Sequence, residues 1–185
     1  SLIAALGGDE AAYISDSGII TYLSDIAVSA PIEIISGEYT ISGTGCHMTR
    51  EDGYKGTFFT VTGGKLILGN EKGANTHPSL TLDGSGGGDS LIHVTGGELD
   101  IYIGTLLTGN TGTENGGAIL VSGGNVKIFN AKIDNCYASD GGAIAVMGGE
   151  LISYGGDYQN NTAARGGFIY IGTKGSFVAG QSVIS

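Results

Sequence analysis

The sequence predicts an all-β fold, a single right-handed parallel β-helix with three short strands per coil of about 25 residues and about seven coils. Three observations predict it. A four-residue strand recurs as Phe58-Phe59-Thr60-Val61, Leu91-Ile92-His93-Val94, Ala118-Ile119-Leu120-Val121, Ala143-Ile144-Ala145-Val146 and Phe168-Ile169-Tyr170-Ile171. Its second and fourth residues are always large and apolar, so alternation in a strand turns them toward a core and the third residue outward. Each copy runs into a glycine turn, Gly63-Gly64, Gly96-Gly97, Gly123-Gly124 and Gly148-Gly149, at intervals of 33, 27 and 25 residues, with a looser Gly172-Thr173-Lys174-Gly175 at the end. Finally, 36 glycines at repeated positions exclude a helical solenoid, since each glycine inside a helix costs about 1 kcal/mol.

The elements follow in order. The first 30 residues break the repeat and read as an irregular cap over the open end, with residues 31–185 forming the coils of one domain. Ile32/Ile34 and Tyr39/Ile41 read as the first full coil. After each glycine turn a second alternating strand appears, at Leu66/Leu68, Leu99/Ile101, Val126/Ile128, Leu151/Ser153 and Phe177/Ala179. A weaker third strand is expected around Leu106, Ile133, Tyr158 and Val183. The chain closes inside that last strand at Ser185, which reads as a fragment of a longer protein.

Stacked coils place equal positions about 4.8 Å apart, so the sequence predicts ladders. Tyr102, Phe129 and Tyr154 should stack, Asp140 should pair with Arg165, and Asp100 should lie over Lys127. Cys46 and Cys136 are expected about three coils apart, too far for a disulfide, with Cys136 filling a corner where neighbouring coils carry Asn110 and Asn161.

The net charge of −10 and only two arginines, Arg50 and Arg165, argue against nucleic acid and anionic membrane surfaces. No apolar run approaches the roughly 20 residues of a membrane-spanning helix, so no membrane insertion of this segment is expected. Asp134 and Asp157 are the best candidates for a carboxylate pair, but they fall two positions apart in the coil, and no catalytic site is expected. Residues 84–91, with Asp89, approach a calcium-binding nonapeptide, yet the motif occurs once and such sites need stacked copies. The reading is a flexible corner loop, with no metal and no cofactor.

Coil length carries the functional signal. The corner leading into the first strand is long at residues 43–57 and 83–90, intermediate at 109–117, and short thereafter; a second insertion occupies 70–79. Insertions on one face of a solenoid often form its binding face. The candidate ligand-binding residues are therefore His47, Arg50, Glu51, Asp52, Tyr54, Lys55 and Asp89, with Arg50 and Tyr54 foremost as hot-spot types. Alanine at both is expected to weaken ligand capture and leave stability nearly unchanged. The Tyr102/Phe129/Tyr154 ladder is the alternative face, suited to sugar rings.

Gly-Gly-Ala-Ile stands as Gly116-Gly117-Ala118-Ile119, Gly141-Gly142-Ala143-Ile144 and, altered, Gly166-Gly167-Phe168-Ile169. One strand earlier a loose form of Phe-x-x-Asn stands as Leu107-Thr108-Gly109-Asn110 and Tyr158-Gln159-Asn160-Asn161, and in one coil reads Ile133-Asp134-Asn135-Cys136. From about Leu91 to Ser185 the chain resembles the repeats of the chlamydial polymorphic membrane proteins, which carry these two motifs, within the pectate-lyase-like β-helices. The resemblance implies an extracellular, cell-surface region used in adhesion. The function expected is a non-enzymatic surface adhesin or passenger segment displaying loops to a protein or glycan on a host or neighbouring cell. The alternative is a β-helix that binds or degrades polysaccharide.

Overall fold

The computed structural model describes residues 25–69, 78–112 and 114–180, and the backbone of 12–14 and 19–22. Val183, most of the 70–79 insertion and the first eleven residues lie outside the described residues. The protein is a parallel β-solenoid of about six turns rather than seven, and no described residue is helical.

The first face stacks β4 (Ile32–Ile34), β7 (Phe59–Val61), β10 (Ile92–Val94) and β13 (Ile119–Val121), and continues into the leading halves of β17 (Ile144–Ser153) and β20 (Ile169–Ala179). The second stacks β2 (Ile19–Tyr22), β5 (Glu38–Gly43), β8 (Lys65–Leu68), β11 (Glu98–Tyr102) and β14 (Asn125–Phe129), then the trailing halves of β17 and β20. The third stacks β3 (Ile26–Val28), β6 (Cys46–Arg50), β9 (Leu80–Asp83), β12 (Thr105–Thr108), β15 (Ala131–Asp134) and β18 (Gly156–Gln159). A short fourth pair, β16 (Tyr137–Asp140) and β19 (Thr162–Arg165), forms where the corner has shrunk to its minimum. At the other end β1 (Ala12–Ile14) runs antiparallel to β2. Because β2 and β3 pair in parallel with β5 and β6, the stacking reaches back to Ile19, below residue 31.

The register matches the repeat residue for residue. Ile32, Phe59, Ile92, Ile119, Ile144 and Ile169 form one inward stack; Ile34, Val61, Val94, Val121, Val146 and Ile171 form the next. The third face contributes Ile26, Met48, Leu82, Leu107, Ile133 and Tyr158. The residue preceding each of the four central first-face strands is buried as well. Phe58, Leu91, Ala118 and Ala143 are all inaccessible to solvent, since the chain is still turning there and strict alternation does not yet apply.

The glycine turns have a steric cause. Gly97 adopts φ +70°, and a Cβ placed on it would lie 2.5 Å from the Gly64 carbonyl oxygen in the neighbouring coil. Only glycine meets both demands. The looser sequence at 172–175 shows up as a β-bulge, where β20 holds one residue more than β17 past Val146.

Most predicted ladders are present. Ring centroids of Tyr102, Phe129 and Tyr154 are 4.5 and 4.8 Å apart and nearly parallel. Arg165 grips both carboxylate oxygens of buried Asp140 at 2.6 Å and lies over the Tyr170 ring. Asp100 does sit in register with Lys127, but its ion pair, at 2.8 Å, is with Lys65 of the preceding coil. Lys65 lies one row off Asp100 and spans the diagonal while staying 3.6 Å from Glu98.

One core expectation is corrected. Ile169 is half-buried and Ile171 is 38% exposed, because among the described residues no strand pairs with the free edge of β20. Ile119→Ala or Ile144→Ala should cost about 2–5 kcal/mol in urea denaturation, and Ile171→Ala about 1 kcal/mol or less. Both cysteines are free and buried, and burial pushes each thiol up to about 11. Neither should react with iodoacetamide at pH 8 until the protein unfolds; rapid labelling of the native protein would contradict this burial.

Candidate functional site

The corner between the third and first faces is built by three successive loops. The first is shorter than the sequence suggested, because residues 46–50 pair within the third face as β6. The loop proper is 51–57. A turn opens it, with Glu51 N–H donating to Val28 O and Tyr54 N–H to Glu51 O. The other two are 84–89 and, among the described residues, 111–112 with 114–116.

Arg50, the last residue of β6, binds these loops together. Its Nε donates to Gly56 O, Nη1 to Gly84 O and to Asn110 Oδ1, and Nη2 to Asp89 O, at 2.6 to 3.1 Å. The guanidinium carbon lies over the buried Phe58 ring, 5.1 Å from its centroid. Burial lowers its pKa, offset by Tyr54 and Asp89 nearby. Arginine suits this site because its rigid planar fork donates in several directions at once while its face stacks on an aromatic ring. Asn110 completes the lock: wholly buried, it donates from Nδ2 to Asp89 O and Gly117 O. Lys55 ties the rim, its Nζ donating to Gly86 O at 2.5 Å and its carbonyl accepting from Asp89 N–H at 2.7 Å.

The remaining sequence candidates divide. Tyr54 packs against the core and donates its hydroxyl to Thr57 O at 2.6 Å; burial raises its pKa. Glu51, Asp52, Lys55 and Asp89 are exposed on the loops. His47 is exposed but stands on β6, on the outer side of the third face, its N–H bonded to Asp25 Oδ1. The loops therefore bring Glu51, Asp52, Lys55 and Asp89 together at one corner, support them with Arg50 and Tyr54, and leave His47 outside.

Beside this corner lies a cleft of about 230 Å³, bounded by Thr57, Asp89, His93, Glu114, Asn115 and Leu120. Glu114 and His93 were not among the sequence candidates. The signal was available in the register, which sets His93 beside the 84–89 loop and the 111–116 loop above it. His93 Nε2 is 2.9 Å from Ser122 Oγ. Burial pulls the imidazole below its usual value, partly offset by Asp89, so it is neutral at pH 7. A serine beside a neutral imidazole resembles a nucleophile–base pair. An acyl-transfer site also needs free donors for an oxyanion, and here the Ser122 and Gly123 N–H groups both donate to Val94 O.

The aromatic ladder stacks ring on ring. Phe129 is sandwiched between Tyr102 and Tyr154, and Gly180 passes so near Tyr154 that a side chain there would collide with its ring. Stacking thus occupies both faces of Phe129. Asp134 and Asp157 both approach Lys132 Nζ, at 3.2 and 3.9 Å. Around Asp89, the 84–89 turn is closed by Asp83 Oδ1 accepting from Ser85 N–H and Oγ. Among the described residues no group of three or more His, Cys, Asp or Glu side chains is placed to hold a metal ion.

No protein-family model, curated protein or solved structure matches this chain.

The geometry reverses the expected effect of Arg50 on stability. Arg50→Ala takes a donor from four acceptors at a half-buried corner, two of which, Gly84 O and Asp89 O, keep a second donor, and should cost about 2–4 kcal/mol. Arg50→Lys should recover only part of it, since one ammonium cannot reach all four. Urea denaturation measures the loss, and amide exchange should place it at residues 84–89 and 110. A variant as stable as the parent would show that the lock is dispensable.

Proposed function

We propose that the protein is a non-catalytic surface-display module that binds a macromolecular partner, a protein or glycan on another cell, through the loops at the corner between its third and first faces. The observation that carries this reading is the Arg50 lock. A half-buried cation and a fully buried asparagine fix three loops from successive coils into one surface, where the repeat itself requires no loop. Loops free to vary neutrally need no such anchoring. A preorganised surface lowers the ordering cost of association. The exposed Glu51, Asp52, Lys55 and Asp89 and the adjoining cleft supply charge for selecting a partner.

The cell-surface setting and the kinship with the chlamydial repeats belong to this proposal. They are supported by the Gly-Gly-Ala-Ile motif and by the solenoid's suitability as a rigid spacer. In each copy the first glycine of the motif, Gly116, Gly141 or Gly166, adopts positive φ as the chain enters the first face.

Screening the folded protein against cell-surface proteins and glycans, for both binding and turnover, tests the reading. Asp89→Asn with Glu114→Gln should change stability by no more than about 0.5 kcal/mol. It should weaken capture of the partner about tenfold, equivalent to about 1.4 kcal/mol. Robust depolymerisation of a glycan, or undiminished capture by the double variant, would overturn it.

A further inference from the structure

The cleft beside the loop corner is divided in character. One part of its lining is uncharged and half-buried. His93 and Leu120 are neighbours in a single outward row of the first face, and the imidazole is held by its contact with Ser122 Oγ. Burial keeps that ring neutral at pH 7, so this wall carries no positive charge. The other part is acidic and exposed. Asp89 comes from one loop and Glu114 from the loop of the next coil.

The chain does not answer these two charges. Among the described residues neither carboxylate has a hydrogen-bond or ion-pair partner. On the sheets the opposite holds, since Asp100, Asp134 and Asp140 each face a lysine or arginine within 3.2 Å. The corner has two cations of its own, and both are turned to carbonyls. Arg50 donates to the main-chain oxygen of Asp89, not to its carboxylate, and Lys55 Nζ donates to Gly86 O.

We propose that the cleft receives an arginine side chain from a protein partner, its methylene stem against His93 and Leu120 and its guanidinium on Asp89 and Glu114. The inference rests on the display reading above and names the chemistry of the partner, a protein segment with an exposed arginine. Arginine joins an apolar stem to a cationic head, the same division that the cleft presents. Its rigid fork has donors enough for carboxylates offered from two loops, which a single ammonium matches less well. A glycan would bring no charge to either carboxylate. The space, about 230 Å³, suits one side chain rather than a packed element. Both loops are fixed from beneath. Arg50 and Asn110 hold the Asp89 carbonyl, and the Glu114 carbonyl accepts from the Ser139 and Asp140 N–H groups. Little order is therefore lost on binding. The net charge of −10 adds a field that draws a basic segment inward.

The experiment titrates the folded protein with a capped peptide, Gly-Ser-Gly-Arg-Gly-Ser-Gly, and with the same peptide carrying citrulline, which keeps the shape of arginine and removes its charge. Amide chemical shifts give affinity and location together. The arginine peptide should bind at least ten times tighter than the citrulline peptide, with shifts centred on 88–90, 93 and 114–116. Asp89→Asn with Glu114→Gln should bring the arginine peptide down to the citrulline level. Leu120→Lys, which places an ammonium in the cleft from its wall, should do the same, with urea denaturation confirming that the variant is folded. Lys132→Met with Asp157→Asn, at another corner, should change nothing. Equal affinity for the two peptides, shifts located elsewhere, or full affinity in the Asp89/Glu114 variant would overturn the proposal. Capture of a glycan, or of a protein indifferent to its arginines, through the same loops would also overturn it while leaving the display reading in place. Specific binding of the arginine peptide by a protein that captures no macromolecule would support the cleft and remove the display reading.

Discussion

Parallel in-register stacking is the constraint on which the rest of this structure depends. Once β7, β10, β13 and β17 share one register, each side chain must tolerate its counterpart about one strand spacing away. Inward positions become columns of Ile, Val, Leu and Phe. The corners become columns of glycine, because a Cβ at Gly97 would collide with the Gly64 carbonyl in the next coil. Outward positions must avoid stacking like charge on like charge. The chain meets this with Tyr102–Phe129–Tyr154, with Asp140 under Arg165, and with Lys65 and Lys132 each shared between two carboxylates.

The same constraint explains why the loop corner needs its own anchor. Strands are fixed by neighbours above and below, but an inserted loop has no counterpart at the same height. Its backbone groups must find partners elsewhere or stay in water. Arg50 takes up the carbonyls of Gly56, Gly84 and Asp89 that the stack leaves without a ladder partner, and Asn110 donates a second bond to the Asp89 carbonyl and one to that of Gly117. This is why an arginine that looks from the sequence like a free contact residue is part of the scaffold instead.

What was legible in the sequence was whatever repeats. The inward pair, the glycine turns, the aromatic column, the Asp140–Arg165 pair and the Cys136 corner all follow from counting coils, since a repeated position has a fixed neighbour. Cys136 does occupy the asparagine corner, accepting its place from Asn161 Oδ1, to which its N–H donates. What repeats poorly was misjudged. Residues 46–50 read as loop because His47, Thr49 and Arg50 hide the alternation of Cys46 and Met48, though both are buried. The burial of Phe58 and its equivalents was missed because a period of two fails at a bend. Asp100 was matched with Lys127 by register alone, whereas a long lysine side chain selects partners along the diagonal. The Glu114 and His93 cleft was missed because it joins loops of different coils with no shared motif.

The stability of a solenoid is close to a sum over coils and the interfaces between them. A coil with neighbours on both sides is held by two interfaces, and the last described coil by one. The exposures of Ile171 and Phe177, at 38 and 42%, mark that difference, since their partners Val146 and Leu151 one coil earlier are fully buried. The loops at 51–57, 84–89 and 114–116 all spring from coils flanked on both sides. A surface that must hold its shape while waiting for a partner gains most from being placed there. In this protein the longest departures from the repeat coincide with its most firmly supported coils.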